Sequence, residues 1–495
     1  MRVTDENRRW WTLGGSCLGL FVLMMDSTVI NLALPSIQQE LDSSSAELQW
    51  LPNAYLLAIT ALVVTAGRFG DIFGRRLVFQ AGMVVFALGS LLAAAASGME
   101  VLIAGRVVQG VGAASMLPLS LALVSDAFPD DEQARAMGIW AAVSSIALAA
   151  GPLLGGLVVE LDWRIIFWVN VPLTAVGVWA IAVSTRESCD EGSKPKVDLP
   201  GLVLLSAGLV CLVLPLVEGN DWGWGAPQTL GLAAAAAVLL TAFATVERRV
   251  SNPIVDFSLF RNGPYFGATA AAFCLVGAYW CVMYFEAQYL QNVLGHSPSE
   301  AGLLILPITL PMIALSPMAG ALIARFGSRL LMTAGMLFGV AGLLVITRTD
   351  ATSGYGLQLP AFLLFGVALG LVYAPMSAAA MAAMPRAKAG IASGVLAMNR
   401  VGAGAVGLAV VGAVFVSLQA DKVGDRSAGT DASRDAFSYA LASSFWILVG
   451  LMVVGTVLTW TFVRDPDQVD RSGVVTEAAG TRELRHHLHH RRFHL

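Results

Sequence analysis

Charge is what this sequence is short of. Of its 495 residues only 13% are Asp, Glu, Lys or Arg, while 56% are hydrophobic, and the mean hydropathy is +0.71. A soluble domain carries about 25% charged residues, and a chain this long folded in water needs a charged shell over its cores. The deficit excludes an ordinary soluble protein and makes a bilayer the expected solvent. The formal net charge of −4 excludes a basic footprint for nucleic acid. Cysteine is scarce as well. Cys17, Cys189, Cys211, Cys274 and Cys281 contain no CxxC pair, and four of them stand inside apolar runs, where a thiol acts as a small hydrophobe. Neither a disulfide framework nor a metal site is expected. No GxxxxGK[ST] segment occurs, so no ATP-driven engine is encoded, and no HExxH set occurs.

Long apolar runs are what the chain has instead. A spanning helix needs roughly 20 mostly apolar residues. Fourteen runs meet this: 13–34, 50–68, 77–97, 101–124, 136–159, 165–183, 200–217, 228–246, 266–288, 301–324, 330–347, 358–382, 391–417 and 440–463. The run 200–217 is the shortest and is followed by "EGNDWGWGAPQ". The first run, behind "MRVTDENRRWWTLGG", is longer than a signal-peptide core and has no small-residue cleavage site, so it is expected to stay as a span. Pro and Gly inside the runs are compatible with helices, because neighbouring spans can satisfy freed backbone groups. Loop charge orients the set. With a cytoplasmic N-terminus, 17 Lys and Arg fall in cytoplasmic connections and six more in the C-terminal tail, against five (Arg164, Arg348, Lys422, Arg426, Arg434) outside. That bias follows the positive-inside rule. Both termini are expected in the cytoplasm.

The connection "GRFGDIFGRR" (67–76) packs four charges and three glycines between two apolar runs, and "GALIARFGSR" (320–329) echoes it. Gly320 matches Gly67, Gly327 matches Gly74 and Arg329 matches Arg76, all at an offset of 253, with Ala324 in place of Asp71. Such repeats are the architecture of secondary transporters, whose cargo site lies between the halves. The glycines permit a tight turn, and the charges can clamp two halves in one state and release them in another. A plain cytoplasmic anchor would explain Arg68 and Arg76, though neither Asp71 nor the glycine spacing.

"GRFGDIFGRR" resembles the loop signature of the major facilitator superfamily, and further stretches resemble its fourteen-helix drug:proton antiporter family. They are "MDSTVINLALP" (25–35), "LIAGRVVQGVGAA" (102–114) with Arg106, "GPLLGG" (151–156), "WRIIFWVNVP" (163–172) and "YLQNVLGHSPSEAGLLILP" (289–307). Ala147 stands where the "GPLLGG" motif usually has a leading glycine. The resemblance covers roughly 10–465 and implies an all-α membrane protein with the major-facilitator fold, two six-helix bundles plus two inserted helices. The expected divisions are 1–190, 191–255 for the inserted pair, 256–465, and a His/Arg-rich cytoplasmic tail, 466–495. The resemblance further implies that Asp71 caps a helix of the second half and that Arg75 pairs with Asp126. It also implies that Gly151, Pro152, Gly155 and Gly156 form the antiporter motif, letting the fifth span pack tightly and bend. The same small residues would serve any close helix pair.

Asp26, Arg106, Glu286 and Arg400 are the charges well inside spans, and each is a functional candidate by default. At 1.5 Å per residue, Asp26 lies roughly 12–14 Å from the outer end, Arg106 roughly 8–10 Å, Glu286 a few Å to one turn, and Arg400 roughly 15 Å from the inner end. Asp26 is the expected proton-coupling carboxylate, neutral with cargo bound and ionised once its proton has left. Glu286 departs from the family pattern. It is open as a second proton site, a cation-attracting vestibule residue or an interfacial glutamate. Arg106 is expected to act structurally and electrostatically, whereas Arg400 would hold an anionic group or pair within the second half. Tyr279, Trp280 and Tyr284 suit flat apolar cations, although interface belts, a reading that fits Tyr289, use the same residues. With Asn31, Gln109, Gln288 and Asn399 they make up the expected cargo pocket.

The sequence therefore predicts a monomeric exporter of amphipathic or cationic drugs, energised by the proton gradient with no cofactor, and not an enzyme. Its partners would be cargo, protons and lipid. An exporter of one endogenous antibiotic, lipid or siderophore is the main alternative, and a proton-coupled importer a further one. A membrane-embedded enzyme or sensor would need a catalytic constellation or a soluble signalling domain. The tail "RHHLHHRRFHL" reads as a disordered basic end, with metal or anionic lipid as other readings.

Overall fold

The computed structural model describes residue 4 and residues 7–188, 198–250, 253–315, 318–385, 388–423 and 430–464. The tail 466–495 lies outside the described residues, as do Cys189, Lys194, Lys196, Arg386 and Arg426. Fourteen helices are long and apolar enough to cross a membrane. They are α1 Arg8–Leu41, α2 Ser45–Phe73, α3 Arg75–Ala94, α4 Met99–Ala127, α5 Asp130–Val159, α6 Ile165–Ser184, α7 Leu199–Trp222 and α8 Pro227–Glu247. They continue with α9 Gly263–Gln288, α10 Pro298–Leu315, α11 Ala319–Ile346, α12 Tyr355–Ala382, α13 Ala389–Val423 and α14 Thr430–Phe462. No strand occurs among the described residues. In a bilayer a helix satisfies its own backbone groups, which is why so apolar a chain resolves into helices alone.

Local chemistry sets the ends. Ser44 and Glu47 close a reciprocal cap at the start of α2: Glu47 N–H donates to Ser44 Oγ at 3.1 Å and Ser44 N–H to Glu47 Oε2 at 2.8 Å. The repeat seen in the sequence is present in the backbone. Gly74 (φ 112°) and Gly327 (φ 76°) both take the left-handed conformation that side chains avoid, so each repeat breaks its helix at the same place.

Two helices differ from expectation. The short run 200–217 becomes a 24-residue helix, because residues beyond it find partners: the Trp50 indole N–H donates to Glu218 at 2.7 Å and Asn220 donates to the Ala413 carbonyl at 2.9 Å. α9 also continues past its expected end as a π-helical turn, Tyr289–Val293. This moves Glu286 about 10 Å from the end of the span, instead of within a turn of it.

Helices α1–α6 pack on one another, α1 against α4, α5 and α6, and α3 against α4 and α6; α9 packs likewise against α12, α13 and α14. The two groups meet where α5 crosses α10 and where α2 crosses α13, while α7 and α8 pair and lay α7 against both α2 and α13. The face at which α1 begins and α14 ends is called the terminal face, and the opposite one the far face.

Candidate functional site

The first half is built around Asp26. It lies on α1, fully buried, and five helices converge on it. Arg106 of α4 reaches its Oδ2 at 2.5 Å. Asn170 of α6 and Gln109 of α4 donate to Oδ1 at 2.7 and 3.1 Å, and the Gln109 amide also donates to Ser90 of α3 at 2.8 Å. Arg106 and Gln109 stand three apart on one helix face, so the guanidinium also reaches Gln109 Oε1 at 2.9 Å. Its Nε donates to the Leu51 carbonyl of α2 at 3.0 Å, and its plane sits 4.3 Å from the Tyr55 ring centre. The overlapping depths read from the sequence thus end in a buried ion pair. Burying a pair is costly unless its remaining donors and acceptors are bonded; here the amides of Gln109 and Asn170 and the Leu51 carbonyl meet all but Arg106 Nη2, which has no hydrogen bond among the described residues.

The small-residue stretch 151–156 of α5 supports the turn that carries Asp26. A Cβ on Gly151 would stand 1.8 Å from Thr28 Oγ1, and one on Gly155 would stand 2.5 Å from Val29, so α5 seats directly on α1. Its other side meets the second half. A Cβ on Gly156 would lie 2.5 Å from the Pro298 carbonyl, and one on Gly302 would lie 2.3 Å from the Pro152 carbonyl. Beyond them, Ser299 Oγ donates to Glu160 at 2.5 Å and Gln291 donates to the Leu32 carbonyl at 3.1 Å. The halves are therefore in backbone contact toward the far face.

At the terminal face the gating loop is tied down. Arg75 Nη1 makes two 2.8 Å bonds to Asp126, while Nε and Nη2 hold Asp71 at 3.0 and 2.9 Å. The Arg75–Asp126 pair is the one the resemblance implies; Asp71 accepts from Arg75, one turn away on its own half. Arg76 donates to the carbonyls of Thr185 and Ala182, and its backbone N–H to Glu187, at 3.0 Å each. Gly67 lies against Pro118 of α4, and Gly74 brings the turn against the Glu187 carboxylate.

Glu286 is fully buried on α9, and neither of its carboxylate oxygens has a donor among the described residues. An ionised carboxylate there would stand without a counter-charge, which is costly in apolar surroundings. It does not lie at the water interface. Tyr289 is no belt residue either: it is fully buried and donates to the carbonyls of Asp350 and Ser353 at 3.2 and 2.9 Å. Arg400 donates to Ser377 at 3.2 Å and faces the Tyr373 ring at 5.2 Å, with no ion pair among the described residues.

The expected cargo residues fall into separate places. Gln109 belongs to the Asp26 shell. Tyr284 and Gln288 line a cleft of about 80 Å³ between the halves toward the far face, with Phe415 and Gln419 of the same half beside them and Gln38 and Gln49 of the first half across. Tyr279 is buried with its hydroxyl unbonded, edge-on to Trp280, which lies against Gly404 of α13. Asn399 donates to the Thr269 carbonyl at 2.8 Å, tying α13 to α9. Asn31 is buried one turn beyond Asp26, with its Oδ1 unbonded. Sequence reasoning missed Asn170, Ser90 and Tyr55. For Asn170 the signal was available: it is the one amide in the apolar stretch "FWVNVP".

The sequence profile of the Major Facilitator Superfamily matches residues 16–408. Among curated relatives, the chain is 37% identical over 408 residues to the multidrug resistance protein Stp of Mycobacterium tuberculosis (strain CDC 1551 / Oshkosh), covering 82% of this chain and 76% of that protein. It is 34% identical over 430 residues to the tetracenomycin C resistance and export protein of Streptomyces glaucescens, covering 87% and 80%. It is 33% identical over 468 residues to the puromycin resistance protein pur8 of Streptomyces alboniger, covering 92% of each. Solved structures of the same fold include the nucleoside transporter NupG (TM-score 0.65, 12% identity, 92% of this chain and 100% of that one) and a D-xylose–proton symporter (TM-score 0.65, 14% identity, 92% and 98%). The chain belongs to the Major Facilitator Superfamily, as a fourteen-helix membrane protein of its drug-exporter kind.

Proposed function

We propose that the protein exports amphipathic and cationic drugs across a bacterial inner membrane in exchange for protons, by alternating access, with its terminal face in the cytoplasm. The observation that carries this reading is the Asp26–Arg106 pair, buried where α1 meets both α4 and the antiporter motif of α5. A proton reaching Asp26 removes the negative charge that holds Arg106. The bond between α1 and α4 then loses its ionic part, and α5, which seats on the same turn of α1, is free to move against α10. The relatives named for multidrug resistance support drug efflux. Glu286 serves as a second acidic site in the other half, and the protein works as a monomer.

The test is drug efflux in proteoliposomes driven by an imposed pH difference. Uptake should collapse with the gradient and vanish in Asp26→Asn, whereas transport that survives either treatment overturns the proposal. A second reading, export of one endogenous product, is favoured by relatives named for a single antibiotic, tetracenomycin C or puromycin. A panel of unrelated dyes and antibiotics separates the two, since a dedicated exporter moves one chemotype.

A further inference from the structure

The inserted helices lie across the seam between the halves. At the far face α7 holds α2 through Glu218 and Trp50, and α13 through Asn220 and the Ala413 carbonyl. At the terminal face Arg68, in the last turns of α2, donates to the Pro253 carbonyl, just beyond α8, and its guanidinium faces Glu247 and Asp198. The chain then runs into the second half, where Lys388 binds Asp256 at 2.9 Å and Ser258 at 3.0 Å. The pair is tied to both halves at both faces.

The terminal-face tie contains two buried acids that no contact explains. Asp198, 5% exposed, caps α7 by accepting the Gly201 N–H at 2.9 Å; Glu247, 3% exposed, ends α8 and accepts the Val255 N–H at 3.1 Å. Each spends one oxygen this way. The other two, Asp198 Oδ2 and Glu247 Oε1, have no donor among the described residues. They converge, lying 2.3 and 2.5 Å from the point where a Cβ on Gly201 would stand, and the carboxyl groups are in hydrogen-bonding range of one another. Two carboxylates facing each other repel when both are ionised, while a single proton held between them makes a hydrogen bond. One proton also leaves one negative charge, which Arg68 balances. Losing it buries a second charge with no second cation to meet it among the described residues. The other charged groups nearby are engaged: Asp71 by Arg75, Asp256 by Lys388, and Arg248 over the Phe257 ring at 6.0 Å.

We propose that Asp198 and Glu247 form a proton-binding site that latches the inserted helix pair, through Arg68, to the terminal-face end of α2. The latch holds while one proton is shared and loosens as that proton is lost to an alkaline terminal-face medium. It is separate from Asp26 and does not depend on proton-coupled export, so its tests read no transport.

The first test is infrared spectroscopy of the purified full-length protein at neutral pH. The carbonyl stretch of a protonated carboxylic acid should be lost in the difference between wild type and Glu247→Gln, and changed in Asp198→Asn. The second is the distance between spin labels on cysteines replacing the exposed Phe73 and Leu199, in a cysteine-free background. Raising the pH should broaden the distances in the otherwise wild-type protein. Glu247→Gln, which carries a permanent neutral donor in place of the shared proton, should keep them narrow at every pH. A missing acid band, wild-type distances indifferent to pH, or Glu247→Gln distances that broaden with pH like the wild type's would overturn the latch. If Glu247→Gln fails to fold, Asp198→Asn supplies both readouts.

Discussion

Asp26 is held by Arg106, Asn170 and Gln109, and removing it does more than delete a proton carrier. It strands the Arg106 guanidinium in a site with no exposure. Breaking a buried pair from one side costs about 3–5 kcal/mol, whereas replacing both members by apolar groups of similar volume is often neutral. Asp26→Ala is therefore expected to lower unfolding stability by about 3–5 kcal/mol, and the double variant Asp26→Leu/Arg106→Met to regain most of it while staying inactive. Thermal unfolding of the solubilised protein, read beside transport, checks this. At this scale the sequence was legible where charge interrupts an apolar run, as at Asp26 and Arg106. At Asn170 it offered the amide in "FWVNVP" but not the partner, which lies on α1, 144 positions away. It misjudged the depth of Glu286, since nothing in "YLQNVLG" announces that α9 runs on through a π-helical turn.

Between helices, the α5–α10 crossing is the contact that the proposed alternating access would break. Gly302 faces the Pro152 carbonyl, a backbone group that cannot swing aside. Overfilling such a contact costs about 1–3 kcal/mol, so Gly302→Val is expected to shift the balance away from the far-face-closed state by roughly 5- to 150-fold. Labelling of a cysteine at the buried Gln49, in a cysteine-free background, should rise accordingly with an impermeant maleimide. The same crossing is sensitive to acid. The Ser299 hydroxyl holds the Glu160 carboxyl below its usual range. A depressed carboxyl adds its share of the contact above the ordinary carboxylate range and loses it as pH falls through its own value. Acidifying the far side should therefore increase Gln49→Cys labelling, and Glu160→Gln should abolish that dependence. The small-residue motif was readable as a packing surface. That one edge faces α1 and the other α10 was not, because both edges carry glycine.

For the whole molecule, the arrangement of charge along the loops predicts the terminal face in the cytoplasm. Green fluorescent protein fused after Phe462 should fluoresce, and alkaline phosphatase fused after Thr347 should be active; the reverse result would invert the transporter. The sequence alone determined the number and order of the fourteen spans, the repeat that bends at Gly74 and Gly327, and the family. These depend on local requirements, since each span must bury its own backbone and each tight turn needs a residue free to take a positive φ. Tertiary structure decided which charges meet: Asp26 with Arg106, and Asp198 with Glu247 beside Arg68. Those partners are chosen by how helices distant in the chain lie against one another. In a medium without water, a buried charge is defined by the neighbour that packing supplies.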